Sequence, residues 1–419
     1  MTTSSPNPAA GQRPRLLHPF ARPAARTEDF LTIASASGSE VFDSSGKRYL
    51  DALASLWYCA IGHGRGEIGE AVVSQMTQLD AFHLFDRFTN APADALADRI
   101  SSYAPMDDAR VFFTSGGSEA VETAIKLARL AQVAAGHPER RVVISRQPSY
   151  HGVTYAAMAA TGLPPNREGF GPLPPEIVQV PHDSLEAARA AVAQYEGRVA
   201  AIIAEPVVGA GGVYPPVEGY LQGLRELCDQ AGALLILDEV ICAFGRMGTW
   251  FAAEHFGVVP DLVTFAKGVT SGYIPLGGVV VGPAVHDPLE ADESLYLRHG
   301  NTYSGHPVAC AAAMANLDIM ERESLLDRAP GIAAVLGKGL GTLVDGERVT
   351  SVRGAQGVWA LGLGEGVDAS ALREKMLDRG VIARPIGTST VAFCPPLVVT
   401  DTEMGEIVDR TGEAISDLP

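Results

Sequence analysis

The sequence predicts an α/β fold built on a mostly parallel sheet, and two stretches carry that prediction. The apolar run Leu234-Leu235-Ile236-Leu237 ends abruptly in Asp238 and Glu239, the pattern of a parallel strand buried on both faces. A second run, Leu262-Val263-Thr264-Phe265-Ala266, ends in Lys267 and Gly268. A carboxylate and an amine thus stand at the carboxyl ends of two buried strands, where open α/β sheets place their ligands.

Length and composition bound the reading. A chain of 419 residues has room for a large core and a two-domain subunit. A formal net charge of −17 argues against nucleic acid and an anionic membrane surface as partners, since both would be repelled. The five cysteines are scattered and form no C-x-x-C pair, so neither a disulfide framework nor a metal site is indicated and a cytoplasmic location is expected. No apolar run approaches membrane-spanning length. Residues 1–28, rich in Ser, Pro and Ala, lack the apolar core of a secretory signal. They read as a mobile N-terminal arm, although four arginines with no acid before Glu28 are also compatible with a transit peptide.

From Glu40 to Leu50, two β-prone runs flank an Asp-Ser-Ser-Gly turn and predict a hairpin. Trp57 and Tyr58 follow, just before Gly62, Gly64 and Gly66, where the backbone can turn tightly. Phe82, Phe85 and Phe88 recur at threefold, helix-like spacing, which suits core packing; Phe85 is also read as a pocket wall. The word FFTSGGSEAVETAIKLARL predicts a short strand, Val111 to Phe113, a turn Ser115-Gly116-Gly117-Ser118, and a helix. Such a turn can hold a phosphate on unpaired helix N–H groups, though capping explains Ser118 equally well. A strand from Arg141 to Ser145 leads to Tyr150 and His151, and the strand in AAIIAEP ends in Glu205. YIPLGGVVVG reads as one more strand, and Thr302 precedes a long Ala-rich helix. From about Leu325, short β-prone runs alternate with helices, and this part carries Arg384, whose guanidinium suits a substrate carboxylate.

An anion and an amine at one sheet edge fit pyridoxal phosphate. A lysine can hold its aldehyde as a Schiff base, and a carboxylate can keep its ring nitrogen protonated. The stretch LDEVICAFGRMGTWFAAEHFGVVPDLVTFAKG and the order of the other words resemble the class III, or ω-, aminotransferases of pyridoxal-phosphate fold type I, from about residue 30 to the C-terminus. The resemblance implies an aspartate aminotransferase-like large domain with a mostly parallel seven-stranded sheet (76–320). A small α+β domain would be assembled from 29–75 and 321–419.

The same resemblance assigns Lys267 and Asp238 as catalytic. It places Ser115, Gly116, Gly117, Ser118, Tyr150, His151, Glu205, Val240 and Thr302 around the cofactor, with Tyr150 and Val240 on opposite ring faces. Thr302 would reach the phosphate of the neighbouring subunit, which implies a homodimer with shared sites. Trp57 and Tyr58 would wall the substrate pocket, and Arg384 would bind the keto acid. The family's glutamate and 2-oxoglutarate users commonly carry a glutamate where this chain has Ala210, so the resemblance leans toward the amine:pyruvate group, as do Trp57 and DEVICAFGR. Ala243 and Met247 depart from that group's usual Gly and Thr. The implied activity is ping-pong transfer from a primary amine or ω- or β-amino acid to pyruvate. A 2-oxoglutarate user, or a decarboxylase or aminomutase on the same scaffold, is the alternative.

Overall fold

The computed structural model describes residues 13–418; residues 1–12 of the expected N-terminal arm lie outside them. The chain opens with an antiparallel meander of β1 (Ile33–Ser37), β2 (Glu40–Asp43) and β3 (Arg48–Asp51). Seven strands then build the main sheet: β4 (Arg110–Thr114), β5 (Val142–Gln147), β6 (Ile177–Pro181), β7 (Val199–Ala204), β8 (Leu234–Asp238), β9 (Leu262–Phe265) and β10 (Gly277–Val281). Their order is β4-β10-β9-β8-β7-β5-β6, and only β10 runs against its neighbours. The fold class is therefore α/β, as the buried runs imply, with the seven-stranded, mostly parallel sheet that the resemblance implies.

Period-two alternation explains why those runs are apolar throughout. Leu234 and Ile236 point to one face, where they pack with Val121, Ala124, Ile125 and Ala128 of the helix Gly117–Ala134. Leu235 and Leu237 point to the other face, against Leu221, Leu224 and Leu227 of the helix Tyr220–Ala231. With helices on both faces, neither set of side chains meets water.

The C-terminal part forms an antiparallel sheet from β11 (Val349–Ala355), β12 (Val358–Leu363), β14 (Arg384–Ile386) and β15 (Thr390–Phe393), in the order β11-β12-β15-β14. Between them, β13 (Val381–Ile382) pairs in parallel with β3, which ties the N-terminal meander to the C-terminal segment. The core packing expected of Phe82, Phe85 and Phe88 from their helix-like spacing is not found. Asp80 to Asn90 is irregular, Asp86 takes φ +62°, and the three rings are 45%, 43% and 47% exposed. A short segment gains little from helix formation without packing to support it, and the helix that follows starts where the Asn90 side chain accepts from the Ala93 N–H at 2.9 Å.

Candidate active site

Because β4, β5, β7, β8 and β9 run the same way, the turns after all five open on one edge of the sheet. There they surround a cavity of about 600 Å³. Its lining includes Gly117, Ser118, Tyr150, His151, Glu205, Asp238, Val240, Lys267, Trp57 and Arg384.

Asp238 is the last residue of β8 and is 4% exposed. Its register partner on β9 is Thr264, whose hydroxyl donates to Oδ1 at 3.0 Å. The Val240 N–H donates to the same oxygen at 3.2 Å, and His151 Nδ1 lies 2.7 Å from Oδ2. A buried carboxyl group with this set of partners is fixed in orientation as an acceptor. Among the described residues His151 Nε2 is buried without a partner, and the ring meets Asp238 through Nδ1. Glu205 follows β7 and accepts from the Tyr150 N–H at 2.9 Å and the Gly209 N–H at 2.8 Å. Burial pushes its carboxyl up, against the opposing influence of His151.

Lys267 begins the turn after β9 in the left-handed region, φ +47°. Burial pulls its amine below the ordinary lysine value, while Asp238 and Glu205 oppose the shift. Burial likewise lowers Arg384 and raises Tyr150, and each of the two partly offsets the other's shift. No hydrogen bond or ion pair engages the Arg384 guanidinium among the described residues.

At the opposite side, the helix Gly117–Ala134 begins with Gly116 in extended conformation and no side-chain cap. The Ser118 hydroxyl instead accepts from the Val153 N–H at 3.0 Å. The first helical N–H groups are left for an anion. A Cβ on Gly117 would lie 2.9 Å from Val240 Cγ1, so only glycine lets the helix start close against that valine. Free helix N–H groups, a fixed carboxylate and a lysine in one cavity form the donor set that a phosphorylated pyridine aldehyde requires.

Five expected site residues do not line the cavity, and two of them, Ser115 and Gly116, immediately precede its Gly117. The Ser115 N–H donates to Glu119 Oε2 at 2.8 Å, and Gly116 accepts from the Ala120 N–H. Tyr58 turns away because Trp57 before it takes φ +67°; its ring packs at Gly272 and its hydroxyl accepts from Ser55 Oγ at 2.5 Å. Phe85 borders a second cavity with Phe112, Lys126, Tyr296 and His299, and Thr302 is exposed.

The sequence reading also missed residues. Thr264 was visible as the lone hydroxyl in an apolar strand. Gly152, with φ +125°, packs on Ser118 and closes the Tyr150-His151 turn. Pro19, Phe20, Leu56 and Ile241 add apolar wall, and nothing local in the sequence marks them.

The sequence profile of the family described as aminotransferase class-III matches residues 22–415. Over 420 residues the chain is 36% identical to the β-alanine–pyruvate aminotransferase of Pseudomonas aeruginosa, covering 93% of each. It is 35% identical over 427 residues to the diaminobutyrate–2-oxoglutarate transaminase of Halomonas elongata, covering 92% of this chain and 90% of that one. Among solved structures, an amine transaminase from an uncultivated Pseudomonas species, in its PLP-bound form, matches with a TM-score of 0.92 at 35% identity, over 96% of this chain and 98% of that one.

Proposed function

The chain belongs to the class III aminotransferase family, which depends on pyridoxal phosphate, and from that premise we propose that it transfers an amino group from a primary amine or an ω- or β-amino acid to pyruvate. The observation that carries the choice of acceptor is the cavity's charge. Its cationic side chains among the described residues are Lys267 and Arg384. With Lys267 committed to the cofactor, one guanidinium remains, which suits a keto acid with one carboxylate. Ala210 on the same wall supplies no acid to hold Arg384 aside.

When bound, pyridoxal phosphate supplies an electron sink for the carbon next to nitrogen. The chain's own residues do the rest. Lys267 Nζ would hold the cofactor's aldehyde and would serve as the acid–base group that moves the proton. Asp238, oriented by His151 and Thr264, would keep the ring nitrogen protonated. The N–H groups at Gly117 and Ser118 would hold the phosphate, Tyr150 and Val240 would hold the ring, and Glu205 supports the Tyr150 turn. Arg384 orients the keto acid, while Trp57, Leu56 and Phe20 face the apolar part of the amine and keep water out.

The test is product analysis with an aryl-alkyl amine and either pyruvate or 2-oxoglutarate. Alanine and ketone should form in equal amounts with pyruvate, and little glutamate with 2-oxoglutarate. Preferential glutamate formation would move the enzyme to the other acceptor. Carbon dioxide release, or turnover without a keto acid, would identify a decarboxylase or aminomutase.

The proposal includes a homodimer with shared sites. Phe82, Phe85, Phe88, Tyr296 and Tyr303 are exposed together with Thr302, and apolar exposure on this scale marks an interface. Thr302 and Phe85 then serve the neighbouring subunit's cavity. No helix among the described residues is long and apolar enough to cross a membrane. The five cysteines, all buried and unpaired, support a cytoplasmic enzyme.

A further inference from the structure

The turn that brings Leu56 and Trp57 to the cavity holds three left-handed residues within four positions, none of them glycine: Ala54 at φ +48°, Ser55 at +58° and Trp57 at +67°. Ser55, with ψ −88°, lies outside even the small left-handed region open to L-residues. Such a backbone persists only where its surroundings over-determine it. Backbone bonds within the turn, such as the Trp57 N–H to the Leu53 carbonyl at 2.9 Å, are joined by one side chain that accepts from its N–H groups. Asp51, 2% exposed, accepts from the Leu53 N–H through Oδ1 at 3.2 Å and from the Ser55 N–H through Oδ2 at 2.6 Å. His63 Nε2 meets Oδ2 at 2.9 Å. Among the described residues no other side chain accepts from an N–H of residues 53–57.

We propose that Asp51 is a positioning residue for donor specificity. Its carboxylate, oriented by His63, pins the strained turn and so keeps Leu56 and Trp57 facing the cavity as the wall against the bulky apolar group of an amine donor. This rests on the reading of the cavity as an amine site. Alanine is too short to extend along that wall, whereas an aryl-alkyl amine lies against it. Releasing the turn therefore affects the two donors differently.

The test uses holoenzyme labelled with 5-fluorotryptophan, whose three resonances belong to Trp57, Trp250 and Trp359. Asp51→Asn should broaden or shift the Trp57 resonance and leave the other two in place. It should raise KM for the aryl-alkyl amine about tenfold while KM for alanine stays within about twofold, as expected for losing a charge-assisted bond that acts on one substrate only. His63→Ala, which leaves the buried carboxylate in the chain, should give a smaller change of the same kind, so the idea is tested even if Asp51→Asn folds poorly. An unmoved Trp57 resonance, all three resonances moving together, or equal KM changes for both donors would overturn the proposal. The resonance needs no turnover. An enzyme that accepts neither donor would therefore refute the amine reading while leaving the pinned turn open to the same spectrum.

Discussion

At the scale of single residues, the account turns on Lys267 and Asp238. Burial leaves Lys267 Nζ as free amine at a lower pH than an ordinary lysine. The rate at which apoprotein captures pyridoxal phosphate should therefore rise with pH and level off below 10.5; an inflection at or above 10.5 would contradict the burial argument. The same shift has a stability consequence of the same sign as that of a salt-bridged acid, whose folded-state pKa is also depressed. Between the folded and unfolded lysine values the unfolded chain binds more protons, so the apoprotein gains stability as pH rises through that window. Asp238→Asn keeps the shape but loses the charge, and should lower turnover about 10²–10³-fold with the protein still folded. A loss under tenfold in steady-state assays would remove Asp238 from its role. Both residues were legible because each stands at the end of an otherwise apolar run. Thr264 gave a weaker form of the same signal, and Phe20 gave none, since an aromatic in a polar arm has no local partner that marks its destination.

At the scale of elements, strands and helices with one periodicity and a clear terminus were readable, and irregular turns were not. The Gly116-Gly117 turn announced the helix start, and its close packing predicts a specific cost. Gly117→Ala, whose methyl would meet Val240 at 2.9 Å, should weaken pyridoxal phosphate binding about tenfold by overpacking the cradle. An absorbance titration giving an unchanged Kd would show that the close approach is unimportant. The turn at Ala54 to Trp57 could not be read, because left-handed residues are inferred from Gly, Asn or Asp and none occurs there. Asp51 helps to stabilise it, a restraint visible only once the chain is folded. The Phe82 segment misled for a related reason: spacing over seven residues does not tell whether its aromatic side chains are buried, and all three are exposed.

At the scale of the whole molecule, the sheet edge gathers residues from Gly117 to Lys267, and Arg384 arrives from the C-terminal sheet that β13 links to β3. That convergence followed from the parallel strands; the placement of Phe85 and Thr302 outside the cavity did not, and it fits the proposed second subunit. Sedimentation should show a species of twice the 44.0 kDa chain, and Phe85→Asp should yield monomers that lose cofactor and activity together. Active monomers would refute the shared sites. The most direct test of the central claim is the visible absorbance of the purified holoenzyme during separate additions of alanine, glutamate and an aryl-alkyl amine. The account predicts that alanine and the amine bleach the yellow band and glutamate leaves it. Bleaching by glutamate but not by alanine would contradict the pyruvate reading, and a protein that gains no visible band on adding pyridoxal phosphate would contradict the whole account.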